Sequence, residues 1–499
     1  MTARARRCLA LPAALLAIAG NALAADPLPP PKGPYQPTWD SIQQQYQVPA
    51  WFSEGKFGIF MHWGLYSVPA HGSEWYVKYM YNNQGGVRDW HTQTFGPINK
   101  FGYKDFIPLF TCKDFDSDAW ALLFKKAGAR YVVPTAEHHD GFALWDSDLT
   151  RWDAKDMGPK RDLIGDLAQA VRKQGLKFGV SSHRMEHYSF IAIPNVPSDL
   201  TDPATQDFYW TMNHSDALYQ KFLADWVARQ KEVIDKYQVD MLWFDNGVNG
   251  RALDPQKLEV AAYYYNRAAE WGKPVTLSTK STAYLSGSLL DFEREGRATQ
   301  EILNTPWQVD DPIGNKFGYG VGLVYKPPEL LVRRLVNTVS KNGNYLLNIS
   351  PKSDGTIPQE QQDRLLAIGK WLEVNGEGIY GTKAWNQYGE GPYWASRTRS
   401  NADDPPNEKY SANEFRFTTK GDTLYVFVMD WPTDDPVISA LASGKVDGKV
   451  ESVTMLGHDG ALAFTQDEKG LIVKFPAEKP CDYVYGLKIT GLKLTPAAH

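Results

Sequence analysis

The residues best suited to chemistry lie where short apolar runs give way to polar ones. Phe57-Gly58-Ile59-Phe60-Met61 leads into His62-Trp63-Gly64, and Tyr131-Val132-Val133 is followed by Glu137-His138-His139-Asp140-Gly141. Lys177-Phe178-Gly179-Val180 leads into Ser181-Ser182-His183, and Leu242-Trp243-Phe244 into Asp245-Asn246-Gly247. Three of these four ends carry histidine, in a chain with 10 histidines altogether. Side chains alternate along a strand, so Trp243 and Asp245 share one face while Leu242 and Phe244 share the other. A carboxylate held inward beside an indole costs free energy unless it is paired or used. A second acid would complete the couple that splits glycosidic bonds: one carboxylate attacks or activates water, the other protonates the leaving oxygen. The segment Asp291-Phe292-Glu293-Arg294-Glu295 offers three acids, and spacing does not choose among them. Plainer roles stay open for both, Asp245 as a turn cap and the acidic segment as a solvated, salt-bridged turn.

The His-His-Asp run also admits a metal. Neighbouring residues on a strand point oppositely, and no HExxH helix, cysteine partner or clustered-Asp loop completes a site. Neither a metal nor another cofactor is expected. Neutral imidazoles also make good two-ended hydrogen-bond partners for hydroxyls.

What must position these groups is a regular alternation of elements. Helical stretches at 116–126, 161–174, 218–237, 255–271 and 328–339 each lead into an apolar strand candidate, the last four beginning at Lys177, Asp240, Pro274 and Tyr345. Helix-then-strand repetition implies a parallel sheet, because each crossover returns the chain to the same end. The number of units across about 340 residues suits a closed (β/α)8-like TIM barrel, with functional groups at the C-terminal ends of its strands. A doubly wound open sheet is the alternative, but no Gly-rich phosphate loop follows the first strand. Past Tyr380 the texture changes to short strand-like runs separated by turns, at 422–428, 450–455, 471–475 and 483–489, which implies an antiparallel β-sandwich. The expected organisation is therefore a barrel over 38–380 and a sandwich over 381–499.

Arg4, Arg6 and Arg7, the apolar run Leu9 to Ile18 and Ala22-Leu23-Ala24 form a signal-peptide pattern over residues 1–24. A Pro-rich linker at 25–37 follows, so the mature protein is expected in the periplasm or outside the cell. No later run approaches the roughly 18 apolar residues of a membrane span, and membrane insertion is not expected. Net charge is −5 with no basic stripe, which argues against nucleic-acid binding. Aromatic residues make up 13% of the chain, including 17 Trp and 26 Tyr, and their apolar faces with polar handles suit sugar binding as well as cores. Cys112 and Cys481 could pair in an oxidising compartment, but spacing alone does not say so.

Several phrases together resemble glycoside hydrolase family 29. They are Trp51-Phe52 with Lys56 to Gly64, Ser73-Glu74-Trp75-Tyr76, His138 to Phe142, Leu242 to Asp245, and Lys341 to Asn348. The resemblance implies a retaining exo-α-L-fucosidase acting on fucosylated oligosaccharides or glycoconjugates. It implies Asp245 as nucleophile and Glu293 as general acid/base, with Glu295 a competitor because it intervenes before Gly296. His62, Glu74, Trp75, His138, His139 and Trp243 match positions lining the sugar pocket, and Phe317 resembles its aromatic wall. Lys280 stands where many relatives have Arg, as a point charge without the planar fork. His183 and His187 fall in a variable loop and are expected near the site. The rivals are another barrel exo-glycosidase, such as a galactosidase, and a non-catalytic glycan-binding protein.

Overall fold

The computed structural model describes residues 29–392 and 410–494. The signal-peptide pattern and the first residues of the expected linker lie outside them. Eight parallel strands close into a barrel: β1 (Phe57–Met61), β2 (Tyr131–Glu137), β3 (Lys177–Ser182), β4 (Met241–Phe244), β5 (Thr276–Lys280), β6 (Ser288–Glu293), β7 (Trp307–Pro312) and β8 (Gly343–Ile349). Closure is made by β1 on β8, with Phe57 opposite Tyr345 and Met61 opposite Ile349.

Alternation sorts the side chains into two cores. Phe60, Tyr131, Val133, Met241, Trp243, Leu289 and Leu346 fill the barrel interior, while Ile59, Val132, Leu242 and Phe244 pack outward against the helices. Phe244 meets Trp226 of the helix Asp216–Tyr237 with ring centroids 5.4 Å apart. The helices fall close to where the apolar periodicity predicts, at Ser117–Lys126, Leu163–Lys173, Asp216–Tyr237, Asp254–Trp271 and Pro328–Ser340.

β7 was not visible in the sequence. Its residues Trp-Gln-Val-Asp-Asp-Pro lack an apolar run, yet all six are buried. Asp311 faces outward and is neutralised by Arg334 at 2.9 Å and by the Tyr345 hydroxyl at 2.7 Å. Gln308 faces inward and donates to Asp291 at 2.6 Å. Partners, not hydrophobicity, make this strand burial-tolerant. No α-helix separates β5 from β6 or β6 from β7.

Beyond the helix Gln359–Asn375, a five-stranded antiparallel sheet runs in the order 448–455, 485–492, 423–428, 415–420, 383–390, and a three-stranded sheet of 437–438, 471–473 and 464–466 accompanies it. Trp385, Phe417, Val426, Leu471 and Leu487 form the core of this domain. The five-stranded sheet is tied to the barrel helices: Trp371 Nε1 donates to Val484 O at 2.7 Å and Arg416 Nε to Asn337 Oδ1 at 2.7 Å. Cys112 and Cys481 are unpaired thiols. No helix among the described residues is long and apolar enough to cross a membrane.

Gly369 sets how closely two of the outer helices approach. A Cβ there would lie 1.9 Å from the Lys126 carbonyl oxygen, which is backbone and has little room to retreat. Gly369→Ala is expected to destabilise the protein by ~1–3 kcal/mol through overpacking, read as a lowered denaturation midpoint with an unchanged slope.

Candidate active site

The C-terminal ends of the strands surround a cavity of about 340 Å³. Asp245 follows directly on β4, and its carboxylate is met from three sides. His183 Nδ1 lies 2.9 Å from Oδ2, His139 Nε2 3.3 Å from Oδ2, and Lys280 Nζ 2.8 Å from Oδ1. Gly247 then turns the chain at φ +91°, where a Cβ would collide with Glu186. Burial by itself would raise the Asp245 carboxyl, but Lys280 and His183 outweigh it and hold the group well below the usual carboxylate range.

Lys280 ends β5 and Glu293 ends β6. The Lys280 ammonium is also 2.8 Å from Glu293 Oε2, so one cation serves two carboxylates. Desolvation works against the lysine charge, but Asp245, Asp310 and Glu293 hold its pKa well above normal. Glu293 keeps 31% side-chain exposure and has Arg297 Nη1 at 3.6 Å. Desolvation raises its pKa and the charge and hydrogen bond of Lys280 lower it, and the lowering prevails.

The imidazoles form one wall. Asn348 Nδ2 donates to the Phe317 carbonyl at 2.8 Å, which leaves Asn348 Oδ1 to accept from His62 Nδ1 at 2.7 Å. His62 therefore carries its proton on Nδ1 and presents Nε2 as an acceptor. Burial, with other histidines alongside, pushes both His62 and His138 well below the ordinary histidine value, so both are neutral. Glu74 Oε2 accepts from the Gly318 N–H at 2.9 Å, and Phe317 packs 5.0 Å from His62 beneath the Arg294 guanidinium.

Of the expected residues, Asp245, Glu293, His62, Glu74, Trp75, His138, His139, Lys280 and Phe317 line the cavity together. Trp243 and His183 do not reach its wall. Trp243 is wholly buried below it, its indole N–H committed to Asp291 Oδ2 at 2.9 Å. His183 is 1% exposed and spends its ring nitrogens on Asp245 and on Ser181 Oγ at 3.0 Å. His187 is buried between the His139 and Phe208 carbonyls, outside the cavity wall. Glu295 turns the other way: Arg294 at φ +64° swings the chain outward, and Glu295 accepts from Asn337 Nδ2 at 2.6 Å on the helix Pro328–Ser340. Asp310 and Asn348 are the groups the sequence did not single out. Asp310 follows a single apolar residue, Val309, with Gln308 before it and Asp311 after it, so it carries no apolar run of the kind that marked Asp245.

Two histidine-rich triads bring possible metal ligands together, His62/His138/His183 and His139/His183/Asp245. Both depend on His183, whose two ring nitrogens are already engaged, so neither offers three free ligand atoms.

The chain that builds this site matches a known group of proteins over most of its length. The sequence fits the family profile "Alpha-L-fucosidase" over residues 23–377 and the profile "Alpha-L-fucosidase C-terminal domain" over 407–490. The chain belongs to the α-L-fucosidases, glycoside hydrolase family 29. It is 32% identical to the tissue α-L-fucosidase of Rattus norvegicus over 469 residues, covering 91% of this chain and 92% of that protein. It is 32% identical to the Homo sapiens tissue α-L-fucosidase, with 92% of each covered. The crystal structure of Thermotoga maritima α-fucosidase in complex with fucose superposes with a TM-score of 0.72 at 31% identity, covering 91% of this chain and all of that one. Among α-L-fucosidases this chain is thus matched in both its barrel and its C-terminal domain.

Removing the shared cation exposes what it does. In the wild type the Asp245 contribution to stability is present above the unfolded pKa of about 3.9 and is lost as pH falls through the depressed folded value. Lys280→Gln leaves buried carboxylates uncompensated, and its cost, on the order of 3–5 kcal/mol, is expected to be largest near neutrality. The gap between the two proteins should close as acid protonates the carboxylates, which urea denaturation at a series of pH values would measure.

Proposed function

We propose that Asp245 is the nucleophile and Glu293 the general acid/base of a retaining exo-α-L-fucosidase. One observation carries this assignment. Asp245 and Glu293 each place an oxygen 2.8 Å from the same Lys280 nitrogen, so these oxygens are no farther apart than twice that contact. Retaining glycosidases hold their carboxyls about 5–5.5 Å apart, whereas inverting enzymes need about 6.5–9.5 Å to fit a water. The bound falls on the retaining side.

Asp245 remains ionised and attacks the anomeric carbon while Glu293 protonates the departing oxygen, leaving a glycosyl ester on Asp245. Glu293, now a base, takes a proton from water, which attacks the same carbon and frees the aspartate. Fucose lacks a 6-hydroxyl, and the Phe317 ring supplies an apolar surface for its methyl group. His62 and His138, neutral and accepting, suit the ring hydroxyls, as does Glu74. Trp243 contributes from below, as the floor on which Lys280 rests 5.3 Å from the indole centroid. His183 acts through Asp245, fixing the plane of its carboxylate.

Asp245→Ala is expected to abolish turnover of aryl α-L-fucosides. Glu293→Ala should lose about 10²–10⁴-fold on glycans with poor leaving groups and much less on activated aryl fucosides. A 2-fluoro-fucosyl adduct found by peptide mass spectrometry on any residue other than Asp245 would refute the assignment.

Export is part of the same proposal, supported by Arg4, Arg6 and Arg7 before the apolar run and by Ala22-Leu23-Ala24. N-terminal sequencing of the protein from its native host should begin at Ala25; retention of Met1 would count against a periplasmic or secreted enzyme.

A further inference from the structure

Asp310 is a further carboxyl lining the cavity, on the C-terminal half of β7. It is fully buried, it lines the cavity, and neither oxygen meets a hydrogen-bond donor among the described residues. A buried polar group left this way is expensive and calls for a role. Asp310 pairs in register with Glu293 across β6 and β7, and Asp291 pairs with Lys280 across β5 and β6. The Asp310 side chain contacts Asp291 and lies within electrostatic reach of Lys280 and Glu293.

The proton has a natural place. Asp291 Oδ2 already accepts from Trp243 Nε1 at 2.9 Å and Gln308 Nε2 at 2.6 Å, while its Oδ1 has no partner. Two touching buried carboxyls do not both ionise unless a cation is brought against them. A proton on Asp310, donated to Asp291, removes the repulsion and satisfies an oxygen of each. Burial and the Asp291 neighbour hold the Asp310 carboxyl well above its usual range despite Lys280.

The protein's own groups are therefore arranged the wrong way round for the first chemical step. The group that must donate a proton, Glu293, is ionised against Lys280, while its neighbour across the strand pair holds one. We infer that Asp310 is the proton-exchange partner of Glu293, surrendering its proton to Glu293 and taking over Lys280 when substrate binds. The leaving oxygen of the substrate displaces the ammonium from Glu293, and a carboxyl without a donor waits beside it. One proton moves through a hydroxyl of the bound substrate: Asp310 carboxylic acid and Glu293 carboxylate become Asp310 carboxylate and Glu293 carboxylic acid. Lys280 keeps its charge throughout, so the total is unchanged. Glu293 spends this proton on the leaving group, regains one from water in the second step, and returns it to Asp310 when the sugar departs. Asp310 is a positioning residue that acts through Glu293, and the inference rests on Glu293 being the acid/base.

The test is Asp310→Asn in the full-length enzyme, assayed over pH on aryl α-L-fucosides of good and poor leaving groups, with Glu293→Gln in parallel. The neutral amide of the Asp310→Asn variant cannot take over the ammonium, so Lys280 stays on Glu293. Turnover of poor leaving groups should fall about tenfold and the alkaline limb should move about one unit lower, the size of a one-unit pKa change, with good leaving groups nearly unaffected. Infrared difference spectra of the free wild type should show a protonated-carboxyl C=O band that Asp310→Asn lacks and Asp310→Glu restores. An unshifted limb, equal losses on both substrates, or no such band in the wild type would overturn the inference; the last measurement decides even if the variants fail to fold. If Glu293→Gln shows leaving-group dependence and Asp310→Asn does not, the exchange alone is wrong. If Glu293→Gln shows none, the acid/base assignment falls and the exchange with it.

Discussion

The ammonium of Lys280, held 2.8 Å from Asp245 and 2.8 Å from Glu293, lets two carboxylates share one barrel mouth. Without a cation the like charges would repel in a medium that screens them weakly, and one would protonate. With it, both are held ionised and their spacing is set by the size of a single nitrogen. A lysine does this as a point charge, with no preferred plane, so it can exchange carboxylate partners more freely than the fork of an arginine. The cost is desolvation of the lysine itself, which the carboxylates of Asp245 and Glu293 offset.

The barrel supplies the geometry this arrangement needs. Parallel register places Asp245, Lys280, Glu293 and Asp310 at the ends of four consecutive strands, β4 to β7, so that each charged group has its neighbour one strand away. No α-helix follows β5 or β6 before the next strand, and bracing comes from elsewhere. Behind β2 and β3, Glu137 and Asp225 are bridged by Arg184 and Arg229, a buried ionic cluster that fixes the backbone on either side of His138, His139 and His183. Behind β6, Glu295 bonds to Asn337, and Asn337 accepts from Arg416 of the C-terminal sheet. The C-terminal domain is thereby hydrogen-bonded, through one amide, to the turn that follows Glu293. Packing support for the acid-bearing loop is a physical role for a domain whose described residues add nothing to the cavity lining.

Much of this was legible in the chain. Period-3.6 helices followed by apolar runs specify a parallel barrel, because amphipathic helices have only the sheet to bury their apolar faces against. Alternation along Leu242-Trp243-Phe244-Asp245 specifies which way Asp245 points. The family phrases implied nine residues that the structure gathers around one cavity. Local pattern could not tell a cavity wall from the layer beneath it: Trp243 and His183 face inward as alternation requires, yet one sits a layer lower and the other is absorbed in holding Asp245. Nor could it choose between Glu293 and Glu295, which share a parity on the strand. The left-handed turn at Arg294 breaks that parity and sends Glu295 to the outer helices.

Sequence alone determined the barrel, its appended β-domain and the strand ends where chemistry could sit, since these follow from periodicities that each segment carries within itself. Tertiary structure decided which charges meet. Lys280, Glu293, Asp291 and Asp310 acquire their protonation and their partners only when strands from distant parts of the chain are set side by side, because electrostatic energy depends on separation and burial, and neither is encoded in a residue's own neighbours along the chain.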